Sequence, residues 1–414
     1  MKISLPGDKS ISHRALMLAA IADGVSELRN LSRGVDVTST RDCLAQCGIA
    51  FTDKKGVVLV NGQGGSFSQP SDDLDAGNSG TTARLLMGLL VGRGIEARLV
   101  GDVSLSRRPM ARVVEPLRQL GAQMEISARQ TLPVVIGPSQ LGTLDYTMPM
   151  ASAQVKSALL LAGLVSEGGV RVTEPVATRN HTELMLEALG VDIKVAGHEI
   201  TIGAGVQGFN SFELDIPGDL SSAAFPAALA TLVPDRDVTF PGLLLNPSRL
   251  GFFRALKRMG ARVDWTVEKR VLGEEVGRLR VRSSTLKGIT IRGDEIPTLI
   301  DEIPILAILA CSAQGETVIW DAGELRLKEC DRIKAIVENL RKMGARVQEL
   351  ADGFRILGSS RLRGATITTH SDHRIAMAFT VAGKITREKT TIDDPDCVEI
   401  SFPGYHKLIS RIKA

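Results

Sequence analysis

Hydrophobic and polar positions along the chain follow one phrase that returns six times. A polar turn rich in Ser, Asp or Gly leads into a run of small apolar residues, then a turn with glycine and a β-rich stretch. The copies begin at Asp8, Asn78, Ser152, Asp219, Asp301 and Asp372. Aligning Arg14 in the first copy with Arg374 in the last gives 360 residues, or five steps of 72, so 414 residues hold about six units. Self-similarity at a fixed period marks a chain built from repeated structural units. Each apolar run is predicted to be a helix buried on most faces, with the polar phrase at its N-terminus.

A second marker, Leu-x-x-x-Gly, interleaves with the first at Leu44 to Gly48, Leu117 to Gly121, Leu186 to Gly190, Leu256 to Gly260 and Leu340 to Gly344. Glycine there suits the left-handed residue that closes a helix. The alternation in Ala261 to Val267 reads as a strand with one face buried. The unit is therefore read as a βαβαββ module of about 70 residues. A sixth Leu-x-x-x-Gly is missing. The last helix, roughly Tyr405 to Lys413, is expected to run to the end, with Lys2 to Leu5 as the missing strand and both termini in one domain. Six helix N-termini carry unpaired N–H groups and the positive end of the helix dipole, a good setting for phosphates and carboxylates.

Bulk properties narrow the function. At 414 residues, two domains of roughly 200 residues are expected. The net charge of +3 and 4% aromatic content argue against a nucleic-acid or membrane-surface binder. No apolar stretch approaches the roughly 20 residues of a membrane span, and the start lacks a signal-peptide core. Five scattered cysteines fit reduced thiols in a cytoplasmic protein. Cys43 and Cys47 lie one turn apart without a second pair, and His370 and His373 have no third ligand, so no metal site is expected. No amphipathic stripe demands a partner, and a monomer is expected.

Chemistry concentrates at the helix starts. Lys9, Ser10 and Arg14 suit a phosphate or carboxylate, although an N-capped surface helix explains them equally. Asn78, Gly80 and Thr81 form a turn where the missing Cβ lets a ligand approach the backbone. Arg107 and Arg108 precede a helix, and solvated arginines are the plainer account. Ser152, Gln154 and Lys156 bring a hydroxyl, an amide and an ammonium to another helix start, and Thr178 to His181 form a polar turn or a cap. Lys328, Glu329, Asp331 and Arg332 crowd together; Lys328 and Arg332 would share a face if helical. Asp301 and Glu302 open a strongly apolar helix.

In order along the chain stand Pro-Gly-Asp-Lys-Ser-Ile-Ser-His-Arg-Ala from Pro6, Gly77 to Thr82 with Arg84, Arg-Arg-Pro-Met from Arg107, and Ser-Ala-Gln-Val-Lys-Ser-Ala from Ser152. Leu-Lys-Glu-Cys-Asp-Arg from Leu327 and Ser-Asp-His-Arg-Ile-Ala-Met from Ser371 complete the set. These phrases closely resemble the EPSP synthases, the enolpyruvyl transferases that join phosphoenolpyruvate to the 5-hydroxyl of shikimate 3-phosphate and release phosphate. The resemblance spans nearly the whole chain. It implies an α/β (α+β) fold of two domains, each of three βαβαββ modules (an inside-out α/β barrel), with the active site in the interdomain cleft. The domains would be residues 1–8 with 217–414, and the inserted 9–216.

The resemblance also implies roles. Lys9, Ser10, Arg14, Ser152, Ala153 through its backbone, Gln154, Arg179, Asp301 and Lys328 match the shikimate 3-phosphate site. Lys9, Asn78, Gly80, Arg108, Gln154, Arg332 and Arg374 match phosphoenolpyruvate ligands. Asp301 matches the base on the 5-hydroxyl and Glu329 the residue managing the methylene proton, with Lys9 beside them. No metal or organic cofactor is implied. Ala153 stands where some members have serine, and Ile400 where several have lysine, which removes one contact to phosphoenolpyruvate. Gly80 is the small residue of glyphosate-sensitive members, so inhibition by glyphosate is expected, while Leu85 departs from the proline of another branch.

Two other readings stay in view. The sister transferase acting on UDP-N-acetylglucosamine carries Lys-Asn at the first phrase, against Lys9-Ser10 here, and a reactive cysteine where this chain has Val103. A non-catalytic binder of phosphorylated metabolites would gain nothing from Asp301 and Glu329. RNA-end processing on related modules fits poorly with the charge and the few aromatics.

Overall fold

The computed structural model describes residues 1–164, 168–205, 208–359 and 361–412. The chain divides into two compact units. The terminal unit comprises Met1–Pro6, Pro217–Lys269 and Glu275–Ala414; the inserted unit comprises Gly7–Ile216 and Arg270–Glu274.

Each polar phrase does begin a helix buried along most of its length. In the inserted unit these are α1 (Lys9–Ile21), α2 (Gly80–Gly92) and α3 (Ala153–Gly163). In the terminal unit they are α4 (Leu220–Leu232), α5 (Ile303–Ser312) and α6 (His373–Ile385). Four have a side chain that accepts an N–H of the first turn at short range: Asp8 from Ile11, Ser79 from Thr82, Asp219 from Ser222 and Asp372 from Arg374. This is why the residues just before each apolar run are Ser or Asp. The five Leu-x-x-x-Gly glycines all have positive φ, from 81° at Gly344 to 115° at Gly121, and each is followed by a strand or strand entry.

The inserted unit repeats one sheet pattern three times. Leu74–Asp75 lies parallel to Ala97–Val100, which pairs antiparallel with Val134–Ile136 and through it with Met124–Ile126. Leu144–Thr147, Val170–Thr173, Glu199–Ile202 and Ile193–Ala196 repeat that order. The first module takes its parallel strand from far along the chain: Glu213–Asp215 pairs with Val25–Arg29. Val57–Asn61 and Ala50–Lys54 complete that sheet.

The terminal unit is less regular. Thr290–Ile291, Glu316–Ile319, Phe354–Leu357 and Arg346–Glu349 form one full sheet. Asp237–Leu244, Glu274–Arg282 and Arg262–Val271 form a three-stranded sheet. Lys2 bridges Thr239 in parallel, and the Ile3 N–H donates to the Thr239 carbonyl at 3.0 Å. The N-terminal segment thus completes the module of α4, not the last module. Besides α6, that last module carries the short pair Thr366–Ile367 and Thr391–Ile392 and the short helix Tyr405–Ile409. The final helix is therefore shorter than expected, and Lys413 lies outside the described residues. Among the described residues the sheets are six separate small ones, none closed into a barrel.

The terminal unit's core gathers Ile3, Phe225, Phe240, Leu306, Ile336, Phe379 and Tyr405 around α4, α5 and α6. The Tyr405 hydroxyl donates to the Met377 carbonyl at 2.7 Å, satisfying its one buried polar atom. No helix among the described residues is long and apolar enough to cross a membrane.

Candidate active site

In the inserted unit, the starts of α1, α2 and α3 bring together most of the basic and hydroxyl residues singled out above. Lys9 donates to an oxygen of Asp36 at 2.8 Å. Asn78 and Arg108 are linked, with Arg108 Nη2 donating to Asn78 Oδ1 at 2.7 Å and to Ser104 Oγ at 3.2 Å. Asn78 in turn donates to Asp102 at 2.6 Å. Arg84 donates to Gln154 Oε1 at 2.7 Å, and the Gln154 amide donates to Thr81 Oγ1 at 3.1 Å. A Cβ on Gly80 would stand 2.8 Å from Arg84 Nη1 and 3.4 Å from Arg108 Nη1. The absent side chain leaves room for two guanidinium groups beside a helix N-terminus, a concentrated positive site for an anion.

Arg14 is buried and oriented by three acceptors: Thr182 Oγ1 at 2.7 Å, Ser157 Oγ at 2.7 Å and the Ser10 carbonyl at 3.0 Å. Burial lowers its pKa to about 10; Glu183, Asp8 and Glu274 oppose that and Arg179 adds to it. Arg14 therefore remains a cation at neutral pH, held rigidly. Ser152 caps α3, accepting from the Val155 N–H at 3.4 Å, and Ala153 is the first helical residue. Arg179 is partly exposed, on the connection after Thr178, whose hydroxyl donates to Glu174.

Two readings from the sequence need correction here. Lys156 does not offer its ammonium at the helix start: it is buried between Glu174 at 2.7 Å and Glu183 at 2.6 Å. Solvation also fails as an account of the Arg107–Arg108 pair, because Arg107 is exposed but Arg108 is buried. Arg107 closes a 3-10 turn while Arg108 leaves it in extended backbone, so the two side chains depart in different directions.

In the terminal unit, Arg332 is the centre. It begins the helix Arg332–Lys342 and is only 1% exposed. Its Nε donates to Asp372 Oδ2 at 2.8 Å and its Nη2 to Glu329 Oε2 at 2.5 Å; Asp301 Oδ1 lies 3.7 Å from Nη1. Burial by itself would weaken the guanidinium's hold on its proton, but Asp372, Glu329 and Asp301 override it and raise its pKa. Arg374 donates to the Asp301 carbonyl at 2.9 Å, with Asp301 Oδ2 3.8 Å from Nη2. Asp301 sits in a 3-10 turn, Ile300–Glu302, just ahead of α5. Lys328 lies outside the helix, in the turn before it, 3.7 Å from Glu324, so it does not share a helical face with Arg332. His370 and His373 also part company: one is exposed with a φ of 55°, the other buried at the start of α6.

Sequence reasoning missed Arg84, Asp36 and Asp372 as members of these clusters. Arg84 lies four residues after Gly80 on α2, a spacing that places it over the same helix face. Asp372 had already been noticed as a helix start; its second task, holding Arg332, leaves no trace in spacing. Among the described residues no group of three or more His, Cys, Asp or Glu side chains is arranged to hold a metal ion.

The enolpyruvyl transferase NikO from Streptomyces tendae matches all of this chain and 94% of its own with a TM-score of 0.78, at 17% identity. The EPSP synthase from Acinetobacter baumannii matches with a TM-score of 0.88 at 40% identity, over 100% of this chain and 95% of its own. The chain thus has the architecture of an enolpyruvyl transferase. The family model described as EPSP synthase (3-phosphoshikimate 1-carboxyvinyltransferase) matches residues 1–409. Proteins named 3-phosphoshikimate 1-carboxyvinyltransferase from Gloeobacter violaceus and Persephonella marina are 46% and 44% identical. They match over 100% and 99% of this chain, and 96% of each relative. The chain belongs to the EPSP synthase family.

Proposed function

We propose that this chain transfers the enolpyruvyl group of phosphoenolpyruvate to the 5-hydroxyl of shikimate 3-phosphate, releasing inorganic phosphate. The observation that carries the reading is the pairing of Asp301 and Glu329 with the buried guanidinium of Arg332. A binder of anions has no use for carboxylates there, whereas addition–elimination needs groups that take and return protons. Among enolpyruvyl transferases, relatives named for 3-phosphoshikimate favour this acceptor over UDP-N-acetylglucosamine.

The chemistry assigns each residue type a task. The 5-hydroxyl oxygen adds to the enol carbon of phosphoenolpyruvate as Asp301 takes the hydroxyl proton. A second proton, managed by Glu329, goes to the methylene carbon, giving a methyl group. The intermediate carries carboxylate and phosphate on one carbon; phosphate then leaves, a methyl proton is withdrawn and the double bond re-forms. Arginines hold such groups bidentately, which lysine does less well. The reading places phosphoenolpyruvate on Lys9, Asn78, Gly80, Arg108, Gln154, Arg332 and Arg374. It places shikimate 3-phosphate on Lys9, Ser10, Arg14, Ser152, the Ala153 backbone, Gln154, Arg179, Asp301 and Lys328. Because Thr182, Ser157 and Ser10 already fix Arg14, a phosphate meets a cation that needs little reorganisation. A cytoplasmic monomer completes the reading.

The test is phosphate release from phosphoenolpyruvate with and without shikimate 3-phosphate, beside an Asp301→Asn variant. Release should require both substrates, and kcat should fall by roughly two to four orders of magnitude in the variant, the usual range for a lost general base. Release with UDP-N-acetylglucosamine alone as acceptor would move the assignment to the sister transferase.

A further inference from the structure

We propose that Lys156 is a positioning residue: with Glu174 and Glu183 it forms a buried triad that fixes the phosphate-facing edge of the inserted unit and so sets affinity for the phosphorylated acceptor. This rests on the function proposed above. It assigns work to three charged groups that the reaction itself does not use.

All three side chains are at most 4% exposed, and the ammonium meets a carboxylate oxygen on each side, at 2.7 and 2.6 Å. Lys156 lies in the first turn of α3, Glu174 follows the strand Val170–Thr173, and Glu183 lies in the first turn of the helix His181–Ala188. The triad therefore ties both ends of the connection 174–183 to one helix. Two residues of that connection are Thr178, buried with its hydroxyl turned onto Glu174, and Arg179, which the proposed function assigns to shikimate 3-phosphate. The second oxygen of Glu174 accepts both the N–H of Thr178, at 3.2 Å, and its hydroxyl. One oxygen of Glu174 thus meets Lys156 and the other sets the shape of this turn.

Glu183 works on the other side. Its neighbour Thr182 accepts from Arg14 and exchanges a hydrogen bond with Ser157, at 2.7 Å in each case, so moving the start of this helix moves Arg14. Lys156 meets Glu183 Oε1, while Glu183 Oε2 is buried with no hydrogen-bond partner among the described residues. Of the charges that favour the ionised form of Arg14, Glu183 acts most strongly.

An ion cluster of this kind is a poor device for stability. Replacing buried ion groups with well-packed apolar residues is often neutral or stabilising, and α3 is buried from Val155 to Gly163. What an apolar replacement cannot do is aim Thr178 and hold a charge opposite Arg14.

The experiment compares wild type with Glu183→Gln and with the charge-free triple variant Lys156→Met, Glu174→Gln, Glu183→Gln. Steady-state rates are measured on the full chain with shikimate 3-phosphate and with unphosphorylated shikimate as acceptor. Wild-type turnover checks the function by itself, separately from this proposal. Expected in both variants is a KM for shikimate 3-phosphate raised by roughly tenfold or more, with kcat held within about twofold. KM for phosphoenolpyruvate and kcat/KM for unphosphorylated shikimate should stay at the wild-type values. Equal losses with both acceptors would mean a general structural role and overturn the proposal, as would an unchanged KM for shikimate 3-phosphate. Failure of both variants to fold, judged by circular dichroism melting, would make the triad a core element and also overturn it.

Discussion

A methyl group added at Gly80 would stand 2.8 Å from Arg84 Nη1 and 3.4 Å from Arg108 Nη1. Both neighbours are ends of long side chains, so the cost falls on their placement more than on the fold. Gly80 is the first residue of α2 and needs no left-handed backbone, and alanine is the better helix former. Gly80→Ala should therefore melt within a few degrees of wild type while KM for phosphoenolpyruvate rises about tenfold, a shift of ~1.4 kcal/mol. It should also be less sensitive to glyphosate, as expected for a chain that differs at this one small residue. An unchanged KM would mean that neither guanidinium meets phosphoenolpyruvate. At this scale the sequence was a partial guide. Crowded charges drew attention to Lys328–Arg332 and an acidic helix start to Asp301, but the roles of Arg332 and Asp301 came from the resemblance to the EPSP synthases. Nothing in residue type separated Arg107 from Arg108, or told that Lys156 would be neutralised, since both depend on which way a side chain leaves the backbone.

Helices in this protein meet through small residues, and α2 with α3 shows what that costs in tolerance. A Cβ on Gly88 would lie 2.0 Å from the Ala158 carbonyl oxygen, a backbone atom that cannot swing aside. Gly88→Ala gains about 1 kcal/mol of helix propensity, but overpacking of this kind costs about 1–3 kcal/mol and here strikes backbone directly. The net should be destabilising, read as a lower urea midpoint; a higher midpoint would show that α2 and α3 separate easily. The first helix carries a pH term. His13 on α1 is wholly buried, with Nδ1 2.7 Å from Thr40 Oγ1. Burial, then Lys9 and Arg14, drive its pKa well below 6.5. In the unfolded chain it binds a proton near pH 6.5 while the folded chain does not, so stability is lost as pH falls below 6.5. The loss approaches about 1.4 kcal/mol per pH unit from this one residue. Urea titrations at pH 7 and pH 5 should show a smaller drop for His13→Asn than for wild type, and parallel losses would count against the assignment. Elements were the most legible scale. Caps and closing glycines are local chemistry, so Asp8, Asp219 and Gly121 announce the helix ends that they form.

The path of the whole chain was the least legible, because a repeat unit is blind to where its missing strand comes from. Two modules borrow: Glu213–Asp215 completes the sheet of Val25–Arg29, and the first residues of the chain complete that of Asp237–Leu244. The strand Lys2 to Leu5 was recognised as displaced, but periodicity alone assigned it to the last module, where Thr366–Ile367 and Thr391–Ile392 stand without it. Pairing decided otherwise. Thr239 donates to the Met1 carbonyl at 2.9 Å and accepts from Ile3 at 3.0 Å, while Ile3 and Leu5 are buried in the core around α4. The segment Met1–Pro6 thus belongs to a unit formed by residues more than 200 positions away and is bridged to its sheet at Lys2. Deleting residues 1–5 strips two buried aliphatic side chains, each worth about 1.5–3 kcal/mol, and exposes the edge of Asp237–Leu244. The terminal unit should then lose about 3–6 kcal/mol. Scanning calorimetry would register this as a transition moved to lower temperature, with aggregation favoured by the bared edge. Supplying the peptide Met1–Pro6 in excess should restore part of the loss by mass action, since it binds only the folded sheet. A truncated chain that melts with wild type would mean that the segment rests on the sheet without holding it together.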